Sequence, residues 1–228
     1  MANEYKKFVP HGVTFENVFG EKKHTWIDWK IVPTSRPVIF PPDVKTSEQD
    51  IPGHDGPLDL SESLDGESHY NNRTGTLEFY VANRDNWVDV YSSIQNYLHG
   101  RNMKVILDDD PDYYYKGRMA VNSWKSDKSH STIVIQYNLQ PYKLKHEPTT
   151  AIAKVDGEAV VICQNERMSI VPTITATTDF TIEFEGNSYT ISAGENIIVP
   201  DIKFVAGDNI LKCTGTGTIT FTYQEGSL

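Results

Sequence analysis

"TLEFYVANRDNWVDVYSSIQNYLHGRNMKVILDDDPDYYYKGRM", residues 76–119, holds three kinds of backbone in one run. In its first residues Leu77, Phe79 and Val81 alternate with Glu78 and Tyr80, the period-two pattern of a strand with one buried face. From Trp87 the period changes. Trp87, Val90, Tyr91, Ile94, Tyr97 and Leu98 recur at steps of three and four, which places them on one face of a helix. Asn83 or Asp85 can cap its start, and Gly100 supplies the left-handed residue that ends it. MKVIL, residues 103–107, returns to strand and runs into four acids and three tyrosines within eight residues.

That acidic run reads as a turn. A metal site built from aspartates needs converging side chains. Asp108, Asp109 and Asp110 are consecutive and so point different ways, and the glycine and glutamate of a calcium loop are missing. Asp110, Pro111 and Asp112 have turn chemistry instead, because proline sets φ at the second turn position. YYYKGRMAV then forms the next strand, with tyrosines on both faces, a pattern that points to a subunit contact at Tyr114.

Upstream, residues 15–40 are aromatic and extended in character. Trp26 and Trp29 lie three apart, as on a helix, yet Pro33, Pro37 and the β-branched residues favour a strand and a long arm. Residues 37–75 follow with five Pro, four Gly and eight acids and little periodicity; so long an irregular connection binds something or packs along a neighbour. Within it Gly53 and Gly56 permit tight bends around His54 and Asp55, so this segment reads as a ligand loop or a subunit contact. Downstream, STIVIQYNLQPYKL closes the first domain. Pro141 and Pro148 bracket a polar boundary, which gives domains 1–147 and 148–228.

The second domain changes in texture to short strands. In FTIEFEGNSYTIS, residues 180–192, Phe180, Ile182 and Phe184 face inward, Gly186 and Asn187 suit a two-residue turn, and Tyr189 and Ile191 return on the partner strand. NILKCTGTGTITFTY, residues 209–223, reads as a second hairpin. With residues 159–163, 169–175 and 196–200 this makes roughly seven strands, the density of a small β-sandwich. The fold class is therefore mainly β: an N-terminal β-barrel or sheet domain with one packed α-helix and a long arm, then a C-terminal β-sandwich.

At 228 residues the chain can bury a core in each half. Its net charge of −10 argues against a duplex-binding surface, which needs Lys and Arg against phosphate, but leaves room for a channel through which DNA passes. Neither half is basic, with 17 Lys and Arg against 21 Asp and Glu before Pro148 and 4 against 10 from there on. MANEYKKFVPHG lacks a signal-length apolar run and no stretch approaches a membrane span, so export and membrane insertion are not expected. Cys163 and Cys213 leave a cross-strand disulfide open, with buried thiols in a reduced cytoplasm the favoured reading.

The chemistry of an enzyme is hard to anchor. The seven His are scattered, with no HExxH or HxH spacing; no GxSxG elbow and no glycine-rich phosphate cradle occur; and among 31 acids any pair could be chosen as a glycosidase dyad. The reading is a non-enzyme with no catalytic residue, metal or cofactor. Tyr113, Tyr114, Tyr115 and Trp124 could stack on sugars, although packing against the helix or a neighbouring subunit is the favoured role.

Five blocks in order, WIDWKIVPTSRPVI, DIPGHDGPLDLSE, YNNRTGTLEFYV, IQNYLHGRNMKVILDDDPDYYYKGRM and NSWKSDKSHSTIVIQYNLQPYK, resemble the distal tail (Dit) proteins of long-tailed bacteriophages over residues 20–145. The resemblance implies a virion structural protein at the tail tip, made in the bacterial host cytoplasm from a phage or prophage. It implies a homo-hexameric ring around a DNA channel, with the N-terminal domain as ring wall and a galectin-like C-terminal sandwich projecting outward. It also implies, as partners, the tail tube protein on one face, a tail-tip lysin or fibre protein on the other, and receptor-binding proteins at the periphery. DNA would pass without specific binding, and no membrane is involved. Expected subunit contacts are Trp26, Trp29, Arg36, Asp55 and Tyr114; Arg36, on an extended arm, suits a bidentate pair to a neighbour's carboxylate. The alternatives are a carbohydrate-binding sandwich contacting host-wall glycan through Trp124 or Tyr189, and a tail-tube subunit.

Overall fold

The computed structural model describes residues 11–82, 86–126 and 131–228, and it divides into two compact units, Met1–Lys143 and Leu144–Leu228. The protein is mainly β, as its alternating patterns require. In the first unit the strands are β1 (Val13–Glu16), β2 (Lys22–His24), β3 (Ile31–Pro33), β4 (Glu48–Gln49), β5 (Leu58–Asp59), β6 (Arg73–Val81), β7 (Arg101–Leu107), β8 (Tyr113–Ser126) and β9 (Ser131–Leu139), with helix α1 (Trp87–Leu98) between β6 and β7. Seven of them form an antiparallel sheet in the order β2-β1-β7-β8-β9-β6-β3.

The side-chain period decides which face is dry. Along β9, Ser131, Ile133, Ile135, Tyr137 and Leu139 are buried while the residues between them are not. Helix α1 covers that face by burying Ile94, Tyr97 and Leu98, with Trp87, Val90 and Tyr91 partly buried beside them. Each such aliphatic side chain contributes roughly 1.5–3 kcal/mol by leaving water. Gly100, at φ 74°, ends the helix and donates its N–H to Met119 O at 2.8 Å, so the chain turns directly into β7. The proposed caps Asn83 and Asp85 lie outside the described residues. At Asn86, the residue before the first turn, no side-chain cap forms.

One upstream reading is corrected. Residues 25–29 are a single helical turn and not extended arm: Asp28 N donates to His24 O and Lys30 N to Trp26 O. The cause is local capping. His24 Nδ1 accepts from the N–H groups of Trp26 and Ile27 at 3.2 Å, and Asp28 Oδ2 accepts from His24 N at 2.7 Å, which together outweigh the β-branched neighbours. The long irregular segment is also more ordered than its composition suggests. A bridge between Val44 and Tyr70, with Lys45 N to His69 O and Asn71 N to Asp43 O both at 2.8 Å, closes an excursion that contains the short β4–β5 pair.

A short strand, β10 (Lys143–Lys145), stands where the two units meet in sequence. The second unit contains β11 (Thr149–Asn165), β12 (Thr173–Ala176), β13 (Phe180–Phe184), β14 (Asn187–Ile191), β15 (Gly194–Ile198), β16 (Gly207–Tyr223) and β17 (Gly226–Ser227). β11 lies along the whole of β16, and the other edge of β16 is shared by β13 at residues 212–215 and β12 at residues 219–222. Phe180, Ile182, Phe184, Phe204, Leu211 and Phe221 fill the core.

Here too the sequence reading needs correction. Residues 209–223 are not a hairpin but part of one continuous strand. Gly215 and Gly217 mark the place where β16 changes neighbours, and not a reversal. A Cβ on Gly217, which sits at φ +151°, would lie 2.6 Å from the hydroxyls of both Thr177 and Thr178; one on Gly215 would lie 2.6 Å from the Phe180 ring. Those threonines stitch the crossing: Thr178 Oγ1 donates to Thr216 O at 2.7 Å, and Thr218 N donates to Thr177 Oγ1 at 2.8 Å. In the true hairpin Phe184 pairs with Asn187, so the turn residues are Glu185 and Gly186, both at positive φ, one position earlier than expected.

Candidate assembly surface

The three consecutive aspartates after β7 separate as their spacing demands, and each meets a basic side chain from a different segment. Asp108 Oδ2 lies 3.2 Å from His24 Nε2. Because His24 Nδ1 already accepts backbone hydrogen bonds, its Nε2 carries the proton and donates to Asp108. Asp109 accepts from His11 Nδ1 at 2.7 Å and from Arg36 Nε at 2.9 Å. Burial alone would raise the Asp109 pKa, but the hydrogen bonds and charge of His11 and Arg36 outweigh it and hold the carboxyl below its ordinary value. Asp110 pairs with Lys143 at 2.8 Å, whose ammonium also sits 4.3 Å from the centre of the Tyr113 ring. The acids thus tie the start of β1, the arm and the end of the unit to one turn. Among the described residues no group of three or more His, Cys, Asp or Glu is placed to hold a metal ion.

The expected contact residues scatter. Trp29 is 3% exposed: its ring packs with Phe15 and Tyr97, and its Nε1 donates to Ser93 Oγ at 3.1 Å, so it is a core residue of its own unit with little left for a neighbour. Tyr114 is likewise nearly buried, beneath Lys104 at 5.0 Å. Trp26 is half-buried under Lys30, and Asp55 is exposed in the arm. The Arg36 side chain is 66% exposed, but its carboxylate is Asp109 of the same chain.

The sugar-stacking residues are engaged as well. Trp124 stacks on Tyr91 at 4.8 Å and meets Trp87 at 4.1 Å, and Tyr189 packs partly against the second core, in which a further tyrosine, Tyr223, is buried. Burial pushes the Tyr223 hydroxyl up to about 12. It also pushes the thiols of Cys163 and Cys213 to about 12 and about 11; both are free and buried.

Sequence reading missed the apolar groups that remain outside. Val18 and Phe19, 75% and 88% exposed, form the tip of the β1–β2 hairpin. Beneath the tip Asn17 Oδ1 accepts from Phe19 N at 2.9 Å and from Glu21 N at 3.0 Å, and the Tyr97 hydroxyl donates to Glu21 O at 2.6 Å while lying 3.0 Å from Phe15 O. On the arm, Val38 and Phe40 are 51% and 58% exposed at a cavity of about 220 Å³ floored by Leu77 and Phe79. The Phe40 backbone is fixed although its ring is not covered: its N–H donates to the Tyr137 hydroxyl at 3.3 Å, and its carbonyl accepts from the buried Arg73 at 2.9 Å. The one available signal was a pair of apolar residues inside turn-forming text, NVFG and RPVIF.

Fold and side-chain disposition define a class: a mainly β chain of two consecutive units, the first with one helix among its described residues and an arm, whose polar groups hold its own loops and in which apolar loop residues such as Phe19 and Phe40 face outward. Among solved structures its fold is similar to that of the SPP1 Dit (gp 19.1) protein, described as a paradigm of the hub adsorption apparatus in phages that infect Gram-positive bacteria. The TM-score is 0.62 at 16% identity, over 93% of this chain and 98% of that one. At this identity the likeness is one of fold. No family model matches the sequence, and no curated protein matches it.

Proposed function

We propose that this chain is a structural subunit of a long-tailed phage tail, a distal hub that joins the tail tube to the tail tip around a DNA channel. The observation that carries this reading is the extent of the fold likeness, which spans both units and nearly the whole of the SPP1 Dit protein. The ordered sequence blocks over residues 20–145 support the same reading independently. In it the first domain, residues 1–147, builds a six-membered ring, and the second, residues 148–228, projects outward. The ring faces meet the tube protein and a lysin or fibre protein, with receptor-binding proteins outside. The chain performs no catalysis, and its acidic balance suits a channel that lets DNA slide without holding it. Its place is the virion tail tip, after synthesis in the host cytoplasm.

Light scattering across a concentration series, with negative-stain images, tests the reading. Six chains of 25.8 kDa give a species of about 150 kDa with a central hole. A monomer that persists at every concentration and with tail tube protein added overturns it. Saturable binding to host-wall polysaccharide that is lost on Tyr189→Ala would put the carbohydrate reading in its place.

A further inference from the structure

We infer that Val18 and Phe19 of one copy seat in the Val38 and Phe40 cleft of the next, a head-to-tail contact that rests on the ring reading above.

Both halves of this contact are preorganised on the same unit. The hairpin tip is held by the Asn17 side chain, by Gly20 N to Asn17 O at 3.0 Å, and at its base by Tyr97. An aromatic residue whose backbone is already fixed therefore stands almost wholly in water. The cleft is equally fixed, since Asp109 holds the Arg36 side chain while Tyr137 and Arg73 hold the Phe40 backbone. Its volume of about 220 Å³ has room for one aromatic side chain.

The tip does not face its own cleft. It leaves β1 after Glu16, whereas the other end of β1, at Val13, pairs with Leu107 beside the turn that anchors Arg36. Knob and cleft are different surfaces, so one contact leaves a free knob and a free cleft for further copies. That is the heterologous geometry from which closed rings are built. Each side carries charges of both signs, Glu21 and Lys22 beside the knob and Glu78 and the Asp109-paired Arg36 beside the cleft.

The test uses the full chain and three single variants, Phe19→Ser, Phe40→Ser and Ile152→Ser, the last an exposed apolar residue of the second unit. Light scattering through a dilution series reads the concentration at which the assembly dissociates, and circular dichroism checks that each variant is folded. Phe19→Ser and Phe40→Ser each raise that concentration by at least about tenfold, as expected for removing one buried aromatic from a contact, and Ile152→Ser leaves it unchanged. Mixing a Phe19→Cys copy with a Val38→Cys copy under oxidation gives a cross-linked pair that neither copy gives alone. A ring that persists unchanged in Phe19→Ser overturns the contact while leaving the hub reading intact, and assigns the knob to another tail protein. A wild-type chain that never assembles overturns both.

Discussion

Replacing Gly217 by alanine tests the least expected feature of the second unit, the continuity of β16 through its Gly-Thr-Gly-Thr run. The new methyl group would meet the Thr177 and Thr178 hydroxyls at 2.6 Å, on a backbone at φ +151°. Holding alanine in that conformation costs about 1–3 kcal/mol. Pushing the two threonines aside loses two hydrogen bonds, worth about 1 kcal/mol each. A loss of about 3 kcal/mol follows if part of the clash relaxes. The cysteines provide the assay, because the chain has only two and both are buried in the second unit, so thiol labelling of the native protein reports the opening of that unit alone. Where labelling follows the open population, the rate rises about a hundredfold. Were Gly217 instead at an ordinary negative φ with room for a side chain, the substitution would cost nothing, or would stabilise by about 0.4–1 kcal/mol through the unfolded chain. A labelling rate that is unchanged or slower refutes the continuous strand.

Tyr97→Phe removes the hydroxyl that clamps both legs of the β1–β2 hairpin, at a cost of about 1–2 kcal/mol, and hydrogen exchange should quicken at residues 15–22 before it does in β8 or β9. Acid should weaken the first unit. For Glu16 burial acts upward, but hydrogen bonds and charge from Lys104 and Lys22 leave its pKa below the ordinary 4.5, and Asp109 lies below 3.8. Their contribution is therefore present above those ordinary values and is lost as pH falls through the lowered ones; urea midpoints against pH should show this, with a shallower fall in Glu16→Gln. Alkali acts with the opposite sign. Burial raises Tyr97 and Tyr223 from 10.0 to about 12, so the stability they confer is intact below pH 10 and is lost as pH climbs toward 12; ultraviolet titration should find these two phenols ionising only as the fold opens.

Local patterns made much of the fold legible. The alternation in 76–82 and 131–139, the three-and-four spacing from Trp87 to Leu98 and the glycine at 100 each act within a few residues, so sequence and structure agree on them. The acidic run was legible for the same reason, because consecutive side chains on a turn cannot converge. Readings failed where a distant segment decided the outcome. Glycine in GTGT marks a turn in isolation, but the crowding of Thr177, Thr178 and Phe180 against it decides for an extended crossing. The burial of Trp29 and Tyr114, and the pairing of Arg36 with Asp109 at 2.9 Å, are likewise tertiary facts that no local pattern announces.

The sequence by itself determined the class of the chain: β-rich, in two parts, acidic, with an amphipathic helix from Trp87 to Leu98. Hydrophobic period, turn chemistry and charge are local or additive properties, and they survive without coordinates. Tertiary structure alone decided which aromatic residues are spent on the core and which stand in water. Trp29 lies among Phe15 and Tyr97 while Phe19, four residues beyond Phe15 on the same hairpin, is left outside. Exposure depends on what the rest of the chain brings to each side of a residue, and only the closed fold specifies that.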